Sequence, residues 1–531
     1  FFSIKLPRDI KLGQDEIVEC DVVRDQHGFL RLPFIFSSVL QVKPGRTIFV
    51  ETAIRNHELP VLWSDDIKRE VDLLTEKIDA KLIAKRRDMR DMPFVTIDGQ
   101  DAKDFDDAVL VEKKPDYFNL YVAIADVAEF VRPFSAMDEE AKTRGTSVYF
   151  SNCVLPMLPD KLSNNICSLK PEVDRLVIVA HCKIDYEGRP LSQEFYEAVI
   201  CSKSRLKYDE VQGYYDNGIY PKSEEIANNL KSQKDLFYIL HKSRKERGAL
   251  NIDNFETRYD YDDSGKLISV EQGERNVSQG VIEECMIYVN VAVANFLRKT
   301  KSPMIFRHHP EPEPDKLIDL KQVAAELNLQ TNLKKNSISN ICNMILDKTL
   351  KNEKKHYYSL IIKRAQSLAF YSATESNHFG LALESYTHFT SPIRRYCDLM
   401  VHRSLKAKIN GESMDNDSHL ESLCSDISRY ERRAESATRE ELNSLKCEFM
   451  STKVGEEFEG IVSGITDEGF VVQIFSHMVE GFVSQPVIAN RSTKTRSNIV
   501  LGSKLKLVLC EVDLKIKRIF FQLKKGRVNG R

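Results

Sequence analysis

The sequence predicts a multidomain α+β protein in which one large α+β unit is flanked by small all-β barrels. Three observations carry this. The 531 residues exceed what one ordinary hydrophobic core organises. The hydrophobic pattern changes twice along the chain, from short strand-like bursts to mixed strand and helix spacing and back again. A composition of 42% hydrophobic and 29% charged residues excludes a disordered or fibrous chain.

Residues 1–62 read as the first barrel. EIVECDVV and RTIFVETAI alternate apolar with polar positions between Gly13, Gly28, Pro33, Pro44 and Gly45, the pattern of short strands. The chain opens on Phe1 rather than Met, so this stretch is expected to be the end of a β-barrel region that begins upstream. Ile67, Val71, Leu74, Ile78 and Leu82 then recur at steps of three and four behind Ser64, Asp65 and Asp66, predicting one amphipathic helix that opens the large unit, residues 63–450. From Val95 to about residue 200 strands are expected, including VTI, AVLV and FNLYVAIADV. From about 225 the spacing becomes mostly helical, interrupted by RHHPEPEPD, whose three prolines in five residues require a loop. Residues 451–531 return to alternation in FEGIVSGI, FVVQIF, VEGFVS and KLKLVLCEVD, with glycine turns, as in a five-stranded OB-type barrel.

The formal net charge of −2 conceals an uneven distribution. From Ser451 onward thirteen Lys and Arg face eight Asp and Glu, so the second barrel is the basic end. The eleven cysteines include no C-x-x-C pair, which argues against a disulfide framework and a structural zinc and fits a reducing cytoplasm. No apolar run of bilayer length is expected, and no membrane partner with it.

The stretch TIDGQDAKDFDDAV places Asp98, Asp104, Asp106 and Asp107 within ten residues, between β-branched and apolar flanks. Carboxylates brought to one point repel unless protonated or neutralised, and oxygen-only clusters suit Mg²⁺ or Mn²⁺. An exposed acidic turn is the competing reading; an EF-hand loop is not, because its ligand order and terminal Glu are absent. Two divalent cations can activate water on one side of a phosphodiester and stabilise the leaving oxygen on the other. A cation for the phosphate oxygens is expected in HFTSPIRRYCDLMVHRSL, where Thr390, Ser391 and Pro392 start a helix with Arg394 and Arg395 in its first turn. His402 and Arg403 lie two turns on, open to the same face or to ordinary helix contacts.

TIDGQDAKDFDDAV, RGTSVYFSNCVLPMLPDKLSNNICSL, VIEECMIYVN and HFTSPIRRYCDLMVHR, in this order and spacing, resemble the RNase II/RNase R family of 3′-to-5′ exoribonucleases. The glycine-bearing TIDGQDAKDFDD and the RGTSVYF form are closer to the RNase R branch. The resemblance implies a cold-shock-type OB domain at 1–62, an RNB catalytic domain at 63–450 and an S1-type OB domain at 451–531. It implies processive hydrolysis of single-stranded RNA to 5′-mononucleotides, in RNA decay and processing. The implied cofactor is Mg²⁺, two ions with Mn²⁺ able to substitute, on Asp98, Asp104, Asp106 and Asp107, with Asp106 the residue whose loss abolishes hydrolysis.

The family's nucleotide clamp falls on Tyr149 and Phe255, its phosphate-holding arginine on Arg394, and the glutamate against the 3′-terminal nucleotide on Glu435. Stacking on aromatic faces suits an enzyme that holds every 3′ end without reading sequence. In a strand, Tyr149 and Phe150 face opposite ways, so one can enter the core while the other meets substrate. Phe458, Phe470 and Phe482 sit in S1-like patterns, and Phe470 is expected to be exposed to RNA. The family usually carries two cold-shock domains and often a long Lys-rich tail, neither of which is present in full here. A cytoplasmic monomer is expected, with single-stranded RNA as partner; the alternative is a catalytically silent RNA-binding scaffold of the same fold.

Overall fold

The computed structural model describes residues 4–7, 9–11, 18–21, 34–39, 42–43, 46–218, 223–252, 256–262, 266–273, 276–329, 337–349, 354–412, 419–484 and 499–524. Its centre is a seven-stranded sheet of β1 (Arg87–Asp88), β2 (Val95–Asp98), β3 (Asp107–Lys113), β4 (Phe118–Ala125), β5 (Asp174–Ile184), β6 (Pro190–Cys201) and β7 (Ser204–Lys207), ordered β7-β2-β3-β4-β5-β6-β1. The inner pairs are antiparallel, while β7 and β1 join the edges in parallel. Val109, Leu110 and Val111, like Val177, Ile178 and Val179, are buried in succession, so both faces of the sheet are covered. Helices Glu224–Glu246, Val277–Lys299 and Tyr396–Ile409 contribute to the same core.

Helix Val277–Lys299 is long and apolar enough by composition to cross a membrane, a stretch the sequence reading overlooked. Ile282, Cys285, Val289, Val293 and Leu297 of this helix lie in the hydrophobic core beside the sheet.

Two readings change. The single helix expected from Ile67 to Leu82 is two, Asp65–Leu73 and Ala80–Ala84, because Leu74 turns extended and Asp79 caps a new start by accepting the Lys81 N–H at 2.9 Å. RTIFVETAI is not a strand: Thr47 caps helix Ile48–Asn56, whose Val50, Ala53 and Ile54 pack with Val148, Phe150, Ala434 and Ala437. The region after 225 is mostly helical, as expected, with one hairpin, Glu256–Tyr261 and Leu267–Gly273, within it. In the N-terminal stretch, strand Phe34–Val39 pairs with Ile4–Lys5 and Val18–Asp21.

The C-terminal unit is the expected barrel. Strands β8 (Glu457–Thr466), β9 (Gly469–Ile474), β10 (Val479–Ser484), β11 (Lys504–Asp513) and β12 (Arg518–Leu523) close in the order β8-β9-β10-β12-β11. Phe470 is 7% exposed and stands with Val472 and Ile474 on the inward face of β9, so its expected exposure is wrong. The strand period decides this: the outward positions are Val471 and Gln473, and of Phe458, Phe470 and Phe482 the half-buried outward one is Phe482, between exposed Glu480 and Ser484. The 32-residue helix Leu420–Ser451 joins the units, with Ala434 and Ala437 against the RGTSVYF ribbon and Leu445, Cys447 and Met450 in the barrel core.

Candidate active site

Strand β2 ends at Asp98, the chain leaves the sheet through residues 99–106, and β3 begins at Asp107. Ser168 secures the far end of this loop: its Oγ accepts the Phe105 N–H at 3.1 Å and donates to the Lys103 carbonyl at 2.6 Å. Asp106, 4% exposed, accepts the Ile393 N–H at 2.9 Å, and its other oxygen lies 3.7 Å from Arg394 Nε. Asp104 accepts a 2.6 Å hydrogen bond from the Tyr149 hydroxyl. Asp101, in the same loop, is exposed.

Asp98, Asp106 and Asp107 have too little positive charge around them. Burial, followed by Asp107 and Asp104, pushes the Asp98 carboxyl up to about 8. Burial raises Asp107 to about 6 against the opposing pull of Arg394. Burial also holds Asp106 well above the usual carboxylate range, although Arg394 and the Ile393 N–H oppose it. Such a set fits an oxygen-ligated divalent cation, which would replace the protons these groups otherwise retain.

A second acidic cluster makes the contrast. Asp126, Glu129 and Glu197 come together below the sheet, but Arg86 lies within 2.7–3.2 Å of them and Lys406 within 2.6–3.0 Å. Burial acts to raise Asp126, yet Lys406 and Arg86 outweigh it and hold this carboxyl low. The protein supplies its own cations there, whereas at Asp98–Asp107 nearby Arg394 does not bring the carboxyls down.

The SPIRR segment is arranged differently from a helix first turn. Helix Tyr396–Ile409 begins after both arginines, with Arg395 extended at its N-cap. Arg395 is structural: its guanidinium grips fully buried Asp398 with two bonds of 2.8 and 2.7 Å, and Asp398 also accepts the Ser391 N–H at 2.8 Å. Arg394 is left half-exposed beside Asp106, steadied by a 3.0 Å bond from Nη2 to Ser391 Oγ. His402 and Arg403 serve the fold, His402 through the Phe389 carbonyl at 2.8 Å and Arg403 through Asp138 and the Val131 carbonyl at 2.7 and 2.9 Å.

The ribbon bearing Tyr149 is tied to this segment. Gly145 ends helix Ala136–Arg144 at φ +70°, where a side chain would meet Tyr430 at 2.8 Å, so only glycine fits. Its carbonyl accepts the Tyr396 N–H, and the next two residues, Thr146 and Ser147, both donate to the Arg394 carbonyl at 3.0 Å. Strand Val148–Tyr149 then leaves Tyr149 42% exposed and Phe150 7% exposed, the division of roles the strand period predicted. Tyr149 faces a cavity of about 1420 Å³ that Lys103, Asp104, Asn164, Lys170 and Arg205 also line.

Asp98, Asp104, Asp106, Asp107, Arg394 and Tyr149 are therefore brought together. Glu435 is not among them: it is exposed on helix Leu420–Ser451 and paired with Arg439. Phe255 lies outside the described residues. Sequence reasoning missed Arg205, the Ile393 N–H and the Ser168 tether. The two backbone and hydroxyl contacts carry no residue-type signal, while Arg205 stands in an ordinary-looking strand, SRLK.

Residues 86–411 match the family model of the RNB domain, and residues 451–524 that of the S1 RNA binding domain. The chain is similar to ribonuclease R of Escherichia coli K12, 38% identical over 84% of this chain and 57% of that protein. It is 34% identical to ribonuclease R of Buchnera aphidicola subsp. Schizaphis graminum, over 92% of this chain and 70% of that one. It thus spans little more than half the length of the Escherichia coli relative. The structure of Mycoplasma genitalium RNase R in complex with ribose methylated single-stranded RNA superposes with a TM-score of 0.89 at 28% identity, over 98% of this chain and 84% of that one.

Proposed function

We propose, from the premise that the chain belongs to the ribonuclease R family of RNB-domain proteins, that it hydrolyses single-stranded RNA processively from the 3′ end and releases 5′-mononucleotides. The observation that carries this reading is the group of under-neutralised carboxylates beside one half-exposed guanidinium, Arg394, with Asp104 and Tyr149 of the same group lining a cavity. Asp98, Asp104, Asp106 and Asp107 would hold divalent cations, two Mg²⁺ with Mn²⁺ able to substitute. When bound, these supply Lewis acidity and a water of lowered pKa.

The chain's own residues supply the rest. Arg394, half-exposed with its Nε 3.7 Å from Asp106, would offset the negative charge that develops on the non-bridging oxygens of a phosphate. Its backbone is fixed by Thr146 and Ser147, so the guanidinium pivots on a rigid base. Tyr149 offers a stacking face to the terminal base while its hydroxyl orients Asp104, coupling the clamp to the cluster. Lys103 and Lys170 stand among the cavity's lining residues, where each can meet a phosphate of the backbone. The basic barrel at the C-terminal end adds sequence-independent RNA binding, and a cytoplasmic monomer fits the free cysteines.

The test is 3′-end trimming of a 5′-labelled single-stranded RNA in Mg²⁺, resolved to single nucleotides. Ladder shortening with 5′-monophosphate release is expected from the parent, and Asp106→Asn should lower the rate by more than about a hundredfold with RNA binding retained. An unchanged rate in Asp106→Asn sinks the mechanism. RNA binding by the parent without any mononucleotide release would instead favour the silent scaffold.

A further inference from the structure

We propose that Arg205 is a positioning residue of the cation site, holding the Gly99–Gln100 end of the aspartate loop so that Asp98 stays in reach of Asp104, Asp106 and Asp107. The inference deepens the reading above and rests on it.

The loop between Asp98 and Asp104 has little of its own to keep it in place. Gly99, Gln100, Asp101 and Lys103 are exposed, and among the described residues no atom lies within 4 Å of where a Gly99 side chain would begin. Its internal hydrogen bond, from the Ala102 N–H to the Gly99 carbonyl, is a long 3.4 Å. Ser168 anchors the Lys103–Phe105 end. The other end is held by Arg205, which pairs with Thr96 in the β7·β2 register and whose Nη2 donates to the Gly99 carbonyl at 2.7 Å and the Gln100 carbonyl at 2.6 Å. Both are charge-assisted, and one planar group making two such bonds fixes direction as well as distance. The guanidinium also lies 5.6 Å from the centroid of Phe105, which is buried, so Arg205 spans the start and the finish of the loop. Its Nε–H is buried and finds no hydrogen-bond partner among the described residues, so the group sits where the two carbonyls require rather than where all its donors are satisfied.

Positioning and simple charge balance predict opposite signs. A cation beside carboxylates repels an incoming divalent ion, so removing a mere counter-charge strengthens metal binding. Removing a tether lets Asp98 drift and weakens it. The measurement is Mn²⁺ binding to the full chain by calorimetry, with amide hydrogen exchange across residues 99–103.

Arg205→Met should bind Mn²⁺ about tenfold more weakly, the scale at which residues behind metal ligands act, and exchange these amides faster while those of β3 and β4 are unchanged. Arg205→Gln, which keeps an N–H₂ donor without the charge, should fall between Met and parent, and it carries the test if the Met variant does not fold. In RNA hydrolysis kcat should fall with KM unchanged. Unchanged or tighter Mn²⁺ binding in Arg205→Met overturns the proposal, as does unaltered exchange at 99–103. If the parent binds Mn²⁺ but releases no nucleotide, the functional reading fails, and the binding and exchange data still decide the role of Arg205.

Discussion

Phe134 shows how a single residue can depart from what its backbone prefers. It is 90% exposed, at φ +65°, just before helix Ala136–Arg144, with its N–H held by Asp138 at 2.8 Å. A bulky side chain in left-handed conformation costs on the order of 1–2 kcal/mol, and an exposed ring recovers little of it. Phe134→Gly should therefore raise stability by about 1 kcal/mol, measured by chemical denaturation; a loss of stability would show that the ring makes contacts important to the fold. At the same scale the sequence was informative about chemistry and weak about partners. Residue type alone singled out Asp98, Asp104, Asp106 and Asp107, because clustered like charges demand an explanation. It could not separate Arg394 from its neighbour Arg395, whose charge is satisfied by Asp398. That distinction depends on where the helix begins, which is set by tertiary contacts.

Among the elements, periodicity was reliable where one period was sustained and failed where two were compatible. VTI, AVLV and FNLYVAIADV became β2, β3 and β4, and the barrel strands fell where the alternation put them. RTIFVETAI offered alternation and an apolar helical face at once, and packing against Ala434 and Ala437 selected the helix. The barrel phenylalanines illustrate the same limit, since alternation says that neighbours differ but not which face is inside. Their roles are separable by experiment. Phe470→Ala should destabilise the barrel by about 3–5 kcal/mol. Phe482→Ala should leave its melting nearly unchanged and weaken binding to single-stranded RNA by about 1–3 kcal/mol, if a base stacks there. Equal melting of the two variants would contradict the burial pattern.

For the whole molecule, the acidic site should make stability depend on pH and, with the proposed cations bound, on those cations too. Asp98 at about 8 and Asp107 at about 6 lie above their unfolded values, so the cation-free native state keeps protons that the unfolded chain releases. Their contribution is complete below the unfolded value near 4 and is lost as pH rises through 6 and 8. His402, buried and held neutral down to about 4, has the opposite sign, and its contribution falls as pH drops below about 6.5. In chelator the melting temperature should fall between pH 6 and 8.5, and millimolar Mg²⁺ should abolish most of that fall by replacing the protons. Parallel melting curves with and without Mg²⁺ would rule out a cation at these carboxylates.

The helix Leu420–Ser451 gives the molecule a fixed gauge. Ala437 meets the ribbon that presents Tyr149, and Cys447, ten residues on and so about 15 Å along the axis, is already in the barrel core. An α-helix bends but does not telescope. The ribbon and the barrel core are therefore two stations on one rod, about 15 Å apart along it, and the spacing is set by the helix rather than by any loop.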